Sequence, residues 1–163
     1  MEQYSFIERV KTSFQYLVDD YGFSIANERY DPQSFGNSLV EFRSETTAIR
    51  LILDRSQVLV DLGPISWNPN SWFSLSSVME FLAPEAGESA YVFPETWESY
   101  YDMIDWQVNR LAHILRRYCS LVLTGQFDAW EELERRRRKE AENGYKVLTG
   151  KDFPKKGNVG RAA

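Results

Sequence analysis

The chain has 163 residues, 43% of them hydrophobic and 15% aromatic, which suits one globular domain with a real core. One cysteine excludes an internal disulfide framework and suits a reducing cytoplasm, and no run of about 18 apolar residues is there to span a membrane. The net charge of −5 is uneven: residues 1–115 hold 7 Lys/Arg against 17 Asp/Glu and residues 116–163 hold 12 against 7, so the acidic body disfavours nucleic acid and suits a basic protein partner.

The opening MEQYSFIERVK lacks a basic start followed by an apolar run, so no signal peptide is expected. Residues 3–21 predict one amphipathic helix. Phe6, Ile7, Val10, Phe14, Leu17, Val18 and Tyr21 follow the 3.6-residue period, and Gly22 is a natural stop. Phe23 to Tyr30 predicts a first strand, ended by Asp31-Pro32. A Pro/Ser/Gly/Asn loop, Asp31 to Asn37, leads on from it.

Residues 36–63 predict three antiparallel strands. With Glu45-Thr46 as a two-residue hairpin loop, Phe42 faces Ile49 and Val40 faces Leu51. With Asp54 to Gln57 as a four-residue loop, Leu53 faces Val58, Leu51 faces Val60 and Ile49 faces Leu62. Both registers put the strong apolar residues on one face, and a one-residue slip would scatter them. On the other face Leu39, Ile52 and Leu59 form one row and Glu41, Arg50 and Asp61 the next. An arginine between two carboxylates is a favourable cross-strand set. It reads as a solvated ion-pair ladder or as a polar contact row on a binding face.

Gly63 to Ser74 reads as a loop, because two prolines and two asparagines oppose regular structure, yet it carries Trp67, Trp72 and Phe73. These aromatics are either partner anchors or residues that fold back to plug an end of the core. Ser74 or Ser77 would cap a short helix reaching Leu82, and Tyr91 to Phe93 predicts a brief extended piece. Pro94, Glu95 and Thr96 open the longest predicted helix, which runs to about Leu123 before Gly125. Its stripe is Trp97, Tyr100, Tyr101, Ile104, Val108, Leu111, Leu115, Tyr118 and Val122. Asp128 and Glu131 have capping-box spacing and start a last helix through about Glu142. There Arg135 to Arg138 stand among glutamates at i,i+4 spacing and read as a solvated face.

Chemistry has little support. Glu98, Asp102, Asp105, Asn109 and His113 share the non-core side of the long helix, but their spacing is loose for a metal or an acid–base pair. Cys119 and His113 are six apart and on roughly opposite sides of that helix. No hydrolase elbow, phosphate loop or dinucleotide glycine pattern occurs, and no cofactor or metal is expected.

The segments YLVDDYGF (16–23), GNSLVEFRSE (36–45), AIRLILDR (48–55) and LTGQFDAWEEL (123–133) resemble a diffuse group of small bacterial proteins, some of them similar to immunity proteins of toxin–immunity systems. That resemblance implies a cytoplasmic protein that binds a toxin domain and blocks it. It carries over no site residue, because the group has no fixed binding motif. The expected architecture is α+β: a four-stranded antiparallel meander with an N-terminal helix and two C-terminal helices packed on it. Residues 1–143 would form one domain and 144–163 a mobile tail. The expected function is a non-enzymatic protein-binding module, an immunity-type inhibitor. Its candidate partner-binding residues are Glu41, Arg50, Asp61, Trp67, Trp72 and Phe73, and its partner would be a basic toxin domain. The alternatives are a subunit of a larger assembly and a small enzyme using the Asp102/Asp105/His113 face.

Overall fold

A computed structural model describes residues 5–86, 94 and 96–154. The extended piece expected at Tyr91 to Phe93 lies outside the described residues, as does the end of the tail. The fold is α+β, with an antiparallel sheet of five strands and several helices. The chain divides into two units, residues 1–128 and residues 129–163.

In the first unit the strands are β1 (Ser24–Asp31), β2 (Asn37–Arg43), β3 (Thr47–Asp54), β4 (Gln57–Pro64) and β5 (Phe73–Ser74), side by side in chain order. The β2–β3 and β3–β4 registers are those that alternation demands: Val40 opposite Leu51, Phe42 opposite Ile49, Leu51 opposite Val60 and Ile49 opposite Leu62. Val40, Phe42, Ile49, Leu51 and Leu62 are fully buried, with Leu53, Val58 and Val60 nearly so. Ser44 closes the first hairpin, its N–H donating to the Thr47 carbonyl at 2.9 Å. The second turn is tighter than expected. Asp54 pairs with Gln57, so only Arg55 and Ser56 form the loop, which leaves the register unchanged. The expected four strands become five because Phe73 and Ser74, read as loop, pair with Leu62 and Asp61.

The predicted first helix is two, α1 (Phe6–Ser13) and α2 (Gln15–Tyr21), interrupted at Phe14 with φ −106° and ψ 13°. In a continuous helix residues 14 and 16 would point about 200° apart. The break lets both turn inward. Phe14 is fully buried against the Phe42 ring at 6.3 Å, and the buried Tyr16 hydroxyl donates to the Ala112 carbonyl at 2.9 Å. The predicted long helix is also shorter and broken. It starts as α4 (Tyr100–Tyr118), capped by Ser99 rather than opened by Pro94, and α5 (Ser120–Leu123) follows a kink at Cys119. Helix α3 (Leu75–Leu82) follows β5 in the chain and is capped by Ser74 Oγ. Helix α1 packs on β2 and α4, α4 on β4, and α3 on β4 and α4. All of this uses the apolar face of the sheet.

Strand β5 covers β4 only at Asp61 and Leu62, so residues 57–60 have no neighbouring strand on that edge among the described residues. Gln107 of α4 meets the edge instead. Its Oε1 accepts from the Val58 N–H at 3.0 Å, and its Nε2 donates to the Ser56 carbonyl at 2.9 Å. A glutamine on the core face of a helix is thereby satisfied, and an edge that could template strand pairing is blunted. Gln107→Leu is expected to lower the unfolding free energy by about 1–3 kcal/mol, the cost of an orphaned buried N–H, and to bring on self-association visible by light scattering. A variant as stable and as monodisperse as the parent would leave Gln107 without a sealing role.

The second unit is dominated by α6 (Trp130–Thr149), which starts after Ala129 without a side-chain cap; the expected Asp128 capping box does not form. It runs past Gly144, where a single glycine costs only about 1 kcal/mol, and ends at Gly150 with φ 67°. Within it Arg135 and Arg136 both pair with Glu132, at 2.7 and 3.3 Å, and Arg137 pairs with Glu134.

Candidate protein-binding site

The polar row on the outer sheet face forms, but its pairing differs from expectation. Arg50 lies between Glu41 and Asp61 in register and bonds Asp61 at 3.1 Å. Glu41 is buried and bonds instead to Arg43 Nε at 2.5 Å, two residues along its own strand. Trp72 completes the arrangement. The Arg50 guanidinium sits 5.3 Å over its ring, and a Cβ on Gly63 would come within 2.3 Å of Trp72 Cδ1. Gly63 falls on the outer face by strand parity, so Trp72 lies flat across that end of the face, only 6% exposed. Phe73 opposes Leu62 and is buried, and the half-buried Trp67 ring stands 6.2 Å from it. Of the six candidates, Arg50, Asp61 and Trp72 are brought together; Glu41 and Phe73 are enclosed.

Exposed aromatic surface gathers at the opposite end of the sheet. Two turns and the start of α4 meet there around a cavity of about 420 Å³. In the turn after β1, the Asp31 carboxylate accepts from the N–H groups of Gln33 and Ser34 at 3.0 and 3.2 Å. Its hydrogen bonds, the Ser34 side chain foremost, hold its pKa below the usual carboxylate value. This Asx-type closure delivers Phe35 at φ +59°, with 79% of its surface exposed. In the turn after β3, Arg55 stands at φ +57°, pinned through its N–H to Asn37 Oδ1 at 3.1 Å. The Arg55 guanidinium lies 5.3 Å over the Phe35 ring, and the Tyr100 hydroxyl donates to the Arg55 carbonyl. Tyr100 and Tyr101 make an edge-to-face pair at 5.6 Å, and with Tyr30 they stand about half exposed around the cavity. Partial burial, and next the neighbouring Tyr101 phenol, raise the Tyr100 pKa.

Phe35 and Arg55 are the non-glycine residues with positive φ among the described residues, and they stack on each other. A bulky side chain in the left-handed region costs about 1–2 kcal/mol. Such strain persists where other contacts impose it, and it concentrates at functional sites. The helical stripe predicts Tyr100 and Tyr101 in the core. They stand instead at the start of α4, about half exposed, so the apolar stripe enters the core only from Ile104 onward. Phe35 falls in the stretch that reads as loop. The available signal was a large aromatic next to Gly36 in a Pro/Ser/Asn turn, with no alternation partner.

The residues weighed for catalysis have structural employment. The Asp102 carboxylate accepts from the hydroxyl of Ser99, the α4 cap, Asp105 pairs with Arg9 of α1 at 2.6 Å, Asn109 accepts from Ser13 at 2.8 Å, and His113 is exposed. Among the described residues no group of three His, Cys, Asp or Glu is placed to hold a metal ion. Cys119 is buried, 4.0 Å from the Met79 sulfur, and burial pushes its thiol up to about 12, which suppresses the thiolate a nucleophile needs. No helix among the described residues is long and apolar enough to cross a membrane. Compared with protein-family models, curated proteins and solved structures, the chain has no significant match in any of the three.

Proposed function

We propose that this chain is a protein-binding module of the immunity type, which occludes a domain of another protein without performing chemistry on it. The observation that carries the reading is the strained Phe35–Arg55 stack, exposed at the mouth of a cavity rimmed by Tyr30, Tyr100 and Tyr101. Aromatic and arginine side chains are the ones that dominate interface energies, and exposed aromatic clusters rimmed by polar groups mark binding surfaces. The unit that bears them holds 9 Lys/Arg against 18 Asp/Glu, a net of −9, which suits a basic toxin domain and would steer its approach. The outer face, with Asp61 and the exposed Leu59 beside Ile52 and Leu39, supplies a second contact area. Trp72 and Phe73 contribute to folding rather than to contact.

Co-expression with the products of neighbouring genes tests the reading, with stoichiometry from light scattering and affinity from calorimetry. A one-to-one complex whose partner loses its activity is the expected result, with association slowing as salt rises. Phe35→Gly is expected to weaken that complex by about 2 kcal/mol or more, roughly 30-fold, mainly through faster dissociation. Its own melting midpoint should hold or rise, because glycine relieves the positive φ. Unchanged affinity for a verified partner would move the interface to the outer face. A chain that only self-associates would support a subunit of an assembly, with the Leu39/Ile52/Leu59 row as the contact.

A further inference from the structure

The geometry points to a cationic side chain of the partner, arginine ahead of lysine, as what enters the aromatic cavity; this rests on the protein-binding reading and narrows it. The site already displays the chemistry. Arg55 lays its guanidinium over Phe35 at 5.3 Å, so one ring of this cluster holds a cation in the free protein. The Tyr30, Tyr100 and Tyr101 rings around the same cavity offer more π faces of the same kind. The lining residues are of two chemical kinds. Leu53 and Ile7 line it with aliphatic surface that suits the methylene stem of a long side chain. The tyrosines and serines among its lining residues carry hydroxyls able to accept from guanidinium N–H groups. A planar guanidinium stacks on rings and bonds in their plane, which a compact ammonium does less well. The net charge of −9 on this unit favours a cation throughout. Arg55 opposes the guest as a like charge, so it acts as a resident competitor.

The test uses the full chain and two small probes, N-acetyl-arginine amide and N-acetyl-citrulline amide, which share size and planarity and differ in charge. Titrations are followed by the aromatic NMR signals of Tyr30, Phe35, Tyr100 and Tyr101. Arginine is expected to shift these signals and to bind about tenfold tighter than citrulline. Arg55→Gly, which suits the positive φ, should tighten arginine binding by about threefold by removing the competing charge. Tyr30→Leu should weaken it while the amide spectrum of the core stays in place. Equal binding of the two probes, no shift with either, or weaker binding in Arg55→Gly would overturn the assignment. The partner experiment stands apart. If the probes fail while Phe35→Gly still breaks a verified complex, occlusion stands and the cation assignment falls. If arginine binds and no partner is found, the reverse holds.

Discussion

Trp72→Ala is expected to lower the unfolding free energy by about 3–5 kcal/mol, in the range for truncating a large buried aromatic, which for a chain of this size is a fall of roughly 10 °C in Tm. The indole lies across Gly63 and stacks under Arg50, so its loss opens a cavity on the outer face and removes the Arg50 cation–π contact. Arg50 Nε is already buried without a hydrogen bond among the described residues, which leaves the row little reserve. Urea titration measures the loss. Dissociation of the remaining folded protein from any partner should stay unchanged. A loss below about 1 kcal/mol together with faster dissociation would return Trp72 to the status of a binding anchor.

The second large effect is expected at alkaline pH. Cys119 and Tyr16 are both enclosed in the first unit, and burial raises both pKa values: the thiol from its ordinary 9.0 to about 12, and the phenol upward from 10.0, next helped by the nearby thiol and opposed by Arg116. Each folded-state pKa lies above its unfolded value, so between the two the unfolded chain ionises and the folded chain does not. Stability is therefore intact below about pH 9 and falls as pH rises, by about 1.4 kcal/mol per pH unit for each group that has entered its window. The thiol alone accounts for about 4 kcal/mol by pH 12. Unfolding free energies measured near pH 8 and near pH 11 should separate accordingly. Cys119→Ala should flatten the slope while lowering stability at neutral pH. Equal slopes in parent and variant would remove the thiol from this account.

The sheet was legible because its information is periodic. Val40, Phe42, Ile49, Leu51, Val60 and Leu62 recur at every second position in three adjacent strands, and only one register buries them together. What escaped was aperiodic. Glu41 chose Arg43 over Arg50 because a side chain two residues along the same strand can reach the same face. The helix breaks at Phe14 and Cys119 follow from what each must pack against, which helical period does not encode. The candidate site was the least legible part. It joins Phe35 from one turn, Arg55 from another and Tyr100 from a helix start, and no spacing rule links the three.

The contact between Gly63 and Trp72 also bears on how the chain can change over generations. No side chain fits at 63 while the indole lies across it, since even a methyl would meet Trp72 Cδ1 at 2.3 Å. An indole-sized residue at 72 has its resting place only while 63 stays bare. Neither position can drift by itself: a first step at either one lowers stability, and a second step at the other restores part of it. Descendants of this sequence should therefore keep the two together or lose them together, so that nine residues apart in the chain there is a single inherited character.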